Sequence, residues 1–147
     1  MFRNIVVATD ASEASHQALA LAIGLAKEGG GKLVLVTVID LSTLLALSGY
    51  ESPYPVDAIQ SMRDEGQASL DAGVAAAAKH GITASTVVGE GDPSDEILRI
   101  AKEQQGDLIC IGTHGRKGLA RLFLGSVAEG VLRRAETPVL VTRPRAS

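Results

Sequence analysis

The sequence predicts one α/β domain, an open, mostly parallel five-stranded sheet with helices on both faces. Three observations carry this. Short runs at 5–8, 33–39, 108–111 and 139–141 are apolar almost throughout, as strands covered on both faces are. Between them lie segments whose apolar residues recur at helical spacing, so strand and helix alternate as in βαβ units. Finally, 147 residues, 46% of them hydrophobic, suit one globular domain with a sizeable core, and two domains would be cramped.

Each element follows from its residues. The first strand lies within residues 2–9 and ends at Asp10, and Ser12 is placed to cap the helix that follows. Leu19, Ala22, Ile23 and Ala26 give that helix its buried face, and Gly29, Gly30 and Gly31 stop it. Residues 33–39, apolar except Thr37, form the second central strand. Residues 40–55 break the pattern with Gly49, Pro53 and Pro55, while Leu44, Leu45 and Leu47 suggest a short helical turn. One long helix is predicted over 56–80, facing inward through Val56, Ile59, Met62, Leu70, Val74 and Ala77 and weakened by Gly66 and Gly73. Gly81 ends it, and the alternation of Ile82, Ala84, Thr86 and Val88 suits an edge strand. Asp92-Pro93 combines an N-cap with the proline favoured in the first turn, and Ile97, Ile100 and Ala101 supply the next buried face. Gly106-Asp107 turns the chain into the strand at 108–111; a helix follows Ser126 as far as about Arg134, and Pro138 opens the last strand.

Composition excludes several classes of function. A net charge of −3, no Trp, two Phe and two Tyr argue against a broad nucleic-acid surface or a platform for stacking bases. No stretch reaches the length of a membrane span and no secretory leader is visible, so no membrane partner and a cytoplasmic location are expected. The single Cys110, in an apolar strand, is expected to be an inert core thiol. His16 and His80 have no partner at metal-ligand spacing, so no metal site is predicted. Charge is nonetheless uneven: from Gly112 to Arg134 stand Arg116, Lys117, Arg121, Arg133 and Arg134 against Glu129 alone, which suggests a small anionic ligand.

The stretch GTHGRKGLARLFLGSV, residues 112–127, holds the chemistry. Gly112 and Gly115 are separated by two residues, nine more follow, and then come Gly125 and Ser126. Glycines let backbone N–H groups approach an anion, and a helix start offers free N–H groups and a positive dipole end. The Walker lysine spacing is absent.

This motif, at Gly112, Gly115, Gly125 and Ser126, resembles the G-x2-G-x9-G-(S/T) phosphate-binding sequence of the ATP-binding branch of the universal stress protein family, and the likeness covers nearly the whole chain. Residues 7–19 resemble the family's N-terminal signature, with Ala8 where proline is usual, then Thr9 and Asp10. The resemblance implies a Rossmann-like sheet of order 3-2-1-4-5, the adenine nucleotide alpha hydrolase-like fold. That order makes the loops after strands one and four neighbours, where such sheets bind ligands. It also implies ATP, with Mg²⁺, in that crevice: the backbone at Ala8 and Val38 toward adenine, Asp10 near ribose and phosphates, and the glycine loop over the triphosphate. Within the loop, Arg116 and Lys117 bind phosphate or solubilise it; His114, next to Gly115 and Gly118, touches phosphate or faces solvent. Ser126 has two roles open to it: capping-box partner of Glu129, or phosphate ligand together with the amides of Val127 and Ala128.

No constellation for rapid phosphoryl transfer is visible, so hydrolysis is expected to be slow or absent in a regulatory nucleotide binder. The alternatives are a slow ATPase or nucleotidyl transferase, and a dimeric partner-binding module whose loop is empty. A homodimer through the last strand, implied by the resemblance, is compatible with nucleotide binding.

Overall fold

The computed structural model describes residues 2–41, 56–113 and 124–144. The irregular stretch with Leu44, Leu45 and Leu47, and Arg145 of the tail, lie outside them. Strands β1 (Asn4–Ala8), β2 (Lys32–Ile39), β3 (Ala84–Glu90), β4 (Leu108–Gly112) and β5 (Val139–Thr142) form one sheet. Its order is β3-β2-β1-β4-β5, and every pairing is parallel. The helices among the described residues are α1 (Glu13–Gly29), α2 (Val56–Ala78), α3 (Pro93–Glu103) and α4 (Ser126–Arg134).

The apolar runs are strands because the sheet buries both their faces. Ile5, Val7, Leu33, Leu35, Leu108 and Cys110 point to one side and pack with α1 and α2. Val6, Val34, Val36, Ile109 and Ile111 point to the other, against α3 and α4. A side-chain period of two along a strand makes this partition automatic. The start of β1 is clamped to the start of β4 by Asp107, whose carboxylate accepts the N–H groups of Arg3 and Asn4 at 2.7 and 3.0 Å.

The caps of α1 and α3 are those the sequence predicts. The Ser12 hydroxyl accepts the Ser15 N–H at 3.1 Å, and the Asp92 carboxylate accepts that of Asp95 at 3.0 Å. Gly30 ends α1 at φ 69° and sends its N–H to the Ala26 carbonyl. The last helix also ends where expected, at Arg134.

Two predicted features differ. The inward face of α2 is Gly66, Leu70, Gly73 and Ala77, whereas Val56 is 72% exposed and Ile59 and Met62 are only half-buried. The glycines that lower helix propensity are therefore where the helix touches the sheet: a Cβ on Gly73 would lie 2.7 Å from Leu35 Cδ1, and one on Gly66 3.0 Å from Thr37 Cγ2. β3 also runs later than the alternation suggests, with Val88 43% exposed while Val87 packs on the α3 side. An edge strand has a neighbour on one side only, so helix coverage, not alternation, decides which of its residues are buried.

Candidate functional site

At the carboxyl end of β1 the chain turns sharply into α1. Thr9 continues the sheet, its N–H donating to the Val36 carbonyl at 2.8 Å, and is buried. The Asp10 carboxylate accepts the N–H of Ser12 at 2.9 Å, an Asx-type turn, while its own N–H donates to Ser15 Oγ at 3.1 Å. Ser15 Oγ in turn donates to the Ala8 carbonyl at 3.4 Å. Between Asp10 and Ser12, Ala11 has φ 65°, a conformation that side chains disfavour and that recurs at ligand sites. The turn thus holds Asp10 by its backbone and one carboxylate oxygen.

β4 ends beside this turn. A Cβ on Gly112 would lie 2.6 Å from Ala14 Cβ, 2.8 Å from Ala14 C and 3.0 Å from Ser15 N, so the first glycine of the motif is demanded by the start of α1. The next residue, Thr113, accepts the Gly125 N–H at 2.6 Å, which brings the two ends of the glycine loop together. His114, Gly115, Arg116, Lys117, Gly118 and Arg121 lie outside the described residues.

Gly125 is the N-cap of α4 in extended conformation, and no side chain caps this helix. Ser126 therefore stands inside the helix and is not its cap, which corrects the capping-box expectation; Ser126 is exposed, Val127 half-buried and Ala128 buried against α3 and β-sheet side chains. Two of the expected cations are also occupied elsewhere. Arg133 pairs with Glu129 at 2.8 Å, and Arg134 with Asp95 of α3 at 2.5 Å, donating also to Ser94 Oγ at 2.9 Å. Gly130 allows this contact, since a Cβ there would come within 2.8 Å of Ser94 Oγ. Arg134 thus ties α4 to α3, while Arg133 pairs within α4.

A cavity of about 1170 Å³ opens from the ends of β1 and β2 along the seam between α1 and α2. Thr9, Asp10 and Val38 line it, together with Ala11, Thr37 and Ile39. Gly112, Ser126, Val127 and Ala128 do not; Gly112 packs against Ala14 and Ser15, and Ser15 holds the Asp10 N–H. Sequence reasoning missed His16, Met62, Ser69 and Gly73 as lining residues. Their common signal is that small residues on α1 (Ala20, Gly24) face small residues on α2 (Ala68, Ala72), which leaves the seam open.

Cys110 is fully buried, and burial pushes its thiol up to about 12, far from the thiolate range a nucleophile needs. Among the described residues no group of three His, Cys, Asp or Glu could hold a metal ion, and no helix is long and apolar enough to cross a membrane.

The chain matches the model of the Universal stress protein family over residues 1–143. It is 36% identical, over 143 residues, to universal stress protein MJ0531 of Methanocaldococcus jannaschii, covering 97% of this chain and 83% of the relative. Among solved structures, that of hypothetical protein MJ0577 superposes with a TM-score of 0.85 at 26% identity, over 100% of this chain and 99% of its own. A universal stress protein in complex with cAMP gives 0.72 at 26% identity, over 98% and 99% of the two chains. One from Archaeoglobus fulgidus in complex with dAMP gives 0.68 at 25%, over 95% and 97%.

Proposed function

Because this chain belongs to the universal stress protein family, we propose that it is a regulatory nucleotide-binding protein that holds ATP, with Mg²⁺, where β1 and β4 end. Adenine lies against the backbone of Ala8, Thr9 and Val38, and Asp10 stands beside ribose and phosphates. The triphosphate lies under the loop from Gly112 through His114, Gly115, Arg116, Lys117 and Gly118 to Gly125, and takes the amides of Ser126, Val127 and Ala128. The observation that carries this is the Thr113–Gly125 hydrogen bond of 2.6 Å, which closes the loop beside the turn that presents Asp10. Two nucleotide complexes of similar structures, with cAMP and with dAMP, support adenine; the long glycine spacing and the loop cations favour a triphosphate over a monophosphate.

Mg²⁺ fits the donors present. It keeps several waters and binds through one or two carboxylates plus substrate phosphates, and one carboxylate, Asp10, lines the cavity near where phosphates would enter. That ion would screen phosphate charge. The sequence offers no constellation for rapid phosphoryl transfer, so hydrolysis is slow or absent in this reading. The protein acts in the cytoplasm as a homodimer paired through β5.

The test is the ATP content of the purified protein, by acid release and chromatography, followed by calorimetric titration of ATP, ADP and AMP into wild type and Gly115→Val. Binding by wild type and its loss in Gly115→Val supports the loop assignment. If wild type binds none of the three, the second reading takes over, a dimeric partner-binding module with an empty loop. It is favoured by one observation: β5 pairs only with β4 among the described residues, and its Val139, Leu140 and Val141 are half-buried.

A further inference from the structure

Thr142, the last residue of β5, adds one contact to its ladder pairing with β4 that an edge strand does not need. Its carbonyl accepts the N–H of Thr113 at 2.7 Å, and Thr113 is the residue whose carbonyl closes the glycine loop on Gly125. Its hydroxyl donates to the Ala14 carbonyl at 2.8 Å, in the first turn of α1 and 128 positions away in the chain. Thr142 is 5% exposed, whereas Val139, Leu140 and Val141 before it are half-buried. Valine would fill the same volume and is itself a strong strand former, so neither packing nor propensity explains a buried hydroxyl there. A buried hydroxyl is retained at no net loss only if it is bonded, and this one is bonded to a carbonyl that already belongs to a helix.

The Ala14 carbonyl is well placed to transmit position. Ala14 and Ser15 are the backbone against which Gly112 packs without room for a Cβ, and Ser15 Oγ holds the Asp10 N–H at 3.1 Å. One residue of the last strand therefore fixes both sides of the crevice: the base of the glycine loop through its carbonyl, and the start of α1 with the Asp10 turn through its hydroxyl. Close-packed elements of this kind move as discrete units, so a shift of β5 is passed to both sides together.

Resting on the nucleotide reading above, we propose that Thr142 is a positioning residue through which the last strand sets nucleotide affinity, so that pairing at the open edge of β5 and occupancy of the crevice are linked. Linkage is reciprocal: a nucleotide that favours one placement of β5 changes self-association through that edge by the same factor by which self-association changes nucleotide affinity.

The experiment titrates ATP by calorimetry into full-length wild type, Thr142→Val and Thr142→Ser, and measures self-association of each by sedimentation with and without saturating ATP. Thr142→Val is expected to lose affinity about tenfold, and Thr142→Ser, which keeps the hydroxyl, to stay within about twofold of wild type. ATP is expected to shift the association constant of wild type and Thr142→Ser but not of Thr142→Val. Thr142→Ala carries the same expectation as Thr142→Val and replaces it if the valine variant does not fold. Wild-type affinity in the variants lacking the hydroxyl, or an equal loss in Thr142→Ser, overturns the proposal and leaves nucleotide binding standing. An association constant of wild type unmoved by ATP overturns the linkage. Wild type that binds no ATP, ADP or AMP overturns the nucleotide reading itself, and the proposal with it.

Discussion

Gly112 shows how one residue can carry two meanings. In the sequence it is the first glycine of a phosphate motif; in the fold it is the place where β4 lets the backbone of Ala14 and Ser15 come into contact. Gly112→Ala should therefore be destabilising even without nucleotide, by roughly 1–3 kcal/mol, because backbone and not a side-chain tip must yield. A chain of 147 residues loses about 2–4 °C of Tm per kcal/mol, so a thermal melt of the unliganded variant reads the effect directly. An unchanged Tm would mean that α1 can back away from β4. Cys110 makes a second prediction at this scale. Its thiol ionises near 12 in the folded protein against an ordinary value of 9.0, because burial disfavours the anion. A folded pKa above the unfolded one gives stability that is complete below pH about 9 and declines as pH rises toward about 12. The Tm of wild type should fall more steeply over pH 9–11 than that of Cys110→Ala, and parallel curves would contradict the assignment.

At the scale of the element, the helices divide into those that follow propensity and those that yield to packing. α1 contains Gly24, where an added Cβ would meet nothing within 4 Å, whereas α2 contains Gly73, where it would strike the fully buried Leu35 at 2.7 Å. Gly24→Ala should stabilise the protein by about 0.5–1 kcal/mol, the propensity difference between the two residues. Gly73→Ala should fail to show that gain and fall below wild type, since the core around Leu35 must shift. Denaturant melts of the two variants, run side by side, distinguish propensity from packing; equal gains would show that α2 can lift off β2. This contrast explains which elements could be read from the chain. Ser12, Gly30 and Asp92 act within one turn of backbone, so their roles were visible locally. The inward face of α2 was not, because glycines at the contact lack the apolar side chains that periodicity counts. The same holds for Ser126: S-x-x-E is a capping-box pattern, yet Gly125 takes the cap position and Ser126 starts the helix.

For the whole molecule, nucleotide binding makes a prediction that needs no mutation. A ligand that binds only the folded state stabilises it by RT ln(1 + [L]/Kd), about 2.7 kcal/mol at one hundred times Kd, so saturating ATP should raise Tm by roughly 5–10 °C. GTP, which lacks the adenine edge, should raise it less if the backbone at Val38 selects the base, and equal shifts would show that the base is not read. The chain by itself determined the alternation of strands and helices, the two covered faces, the caps, the family and the spacing of the glycine motif, because these depend on residue type and near neighbours. It did not determine that Gly112 serves α1, that Arg134 serves Asp95, or that a seam opens between α1 and α2. Nor could it reveal that Thr142 reaches Ala14 across 128 positions. Those facts are contacts between residues distant in sequence, and they exist only once parallel pairing in the order β3-β2-β1-β4-β5 has brought the carboxyl ends of the central strands to one edge.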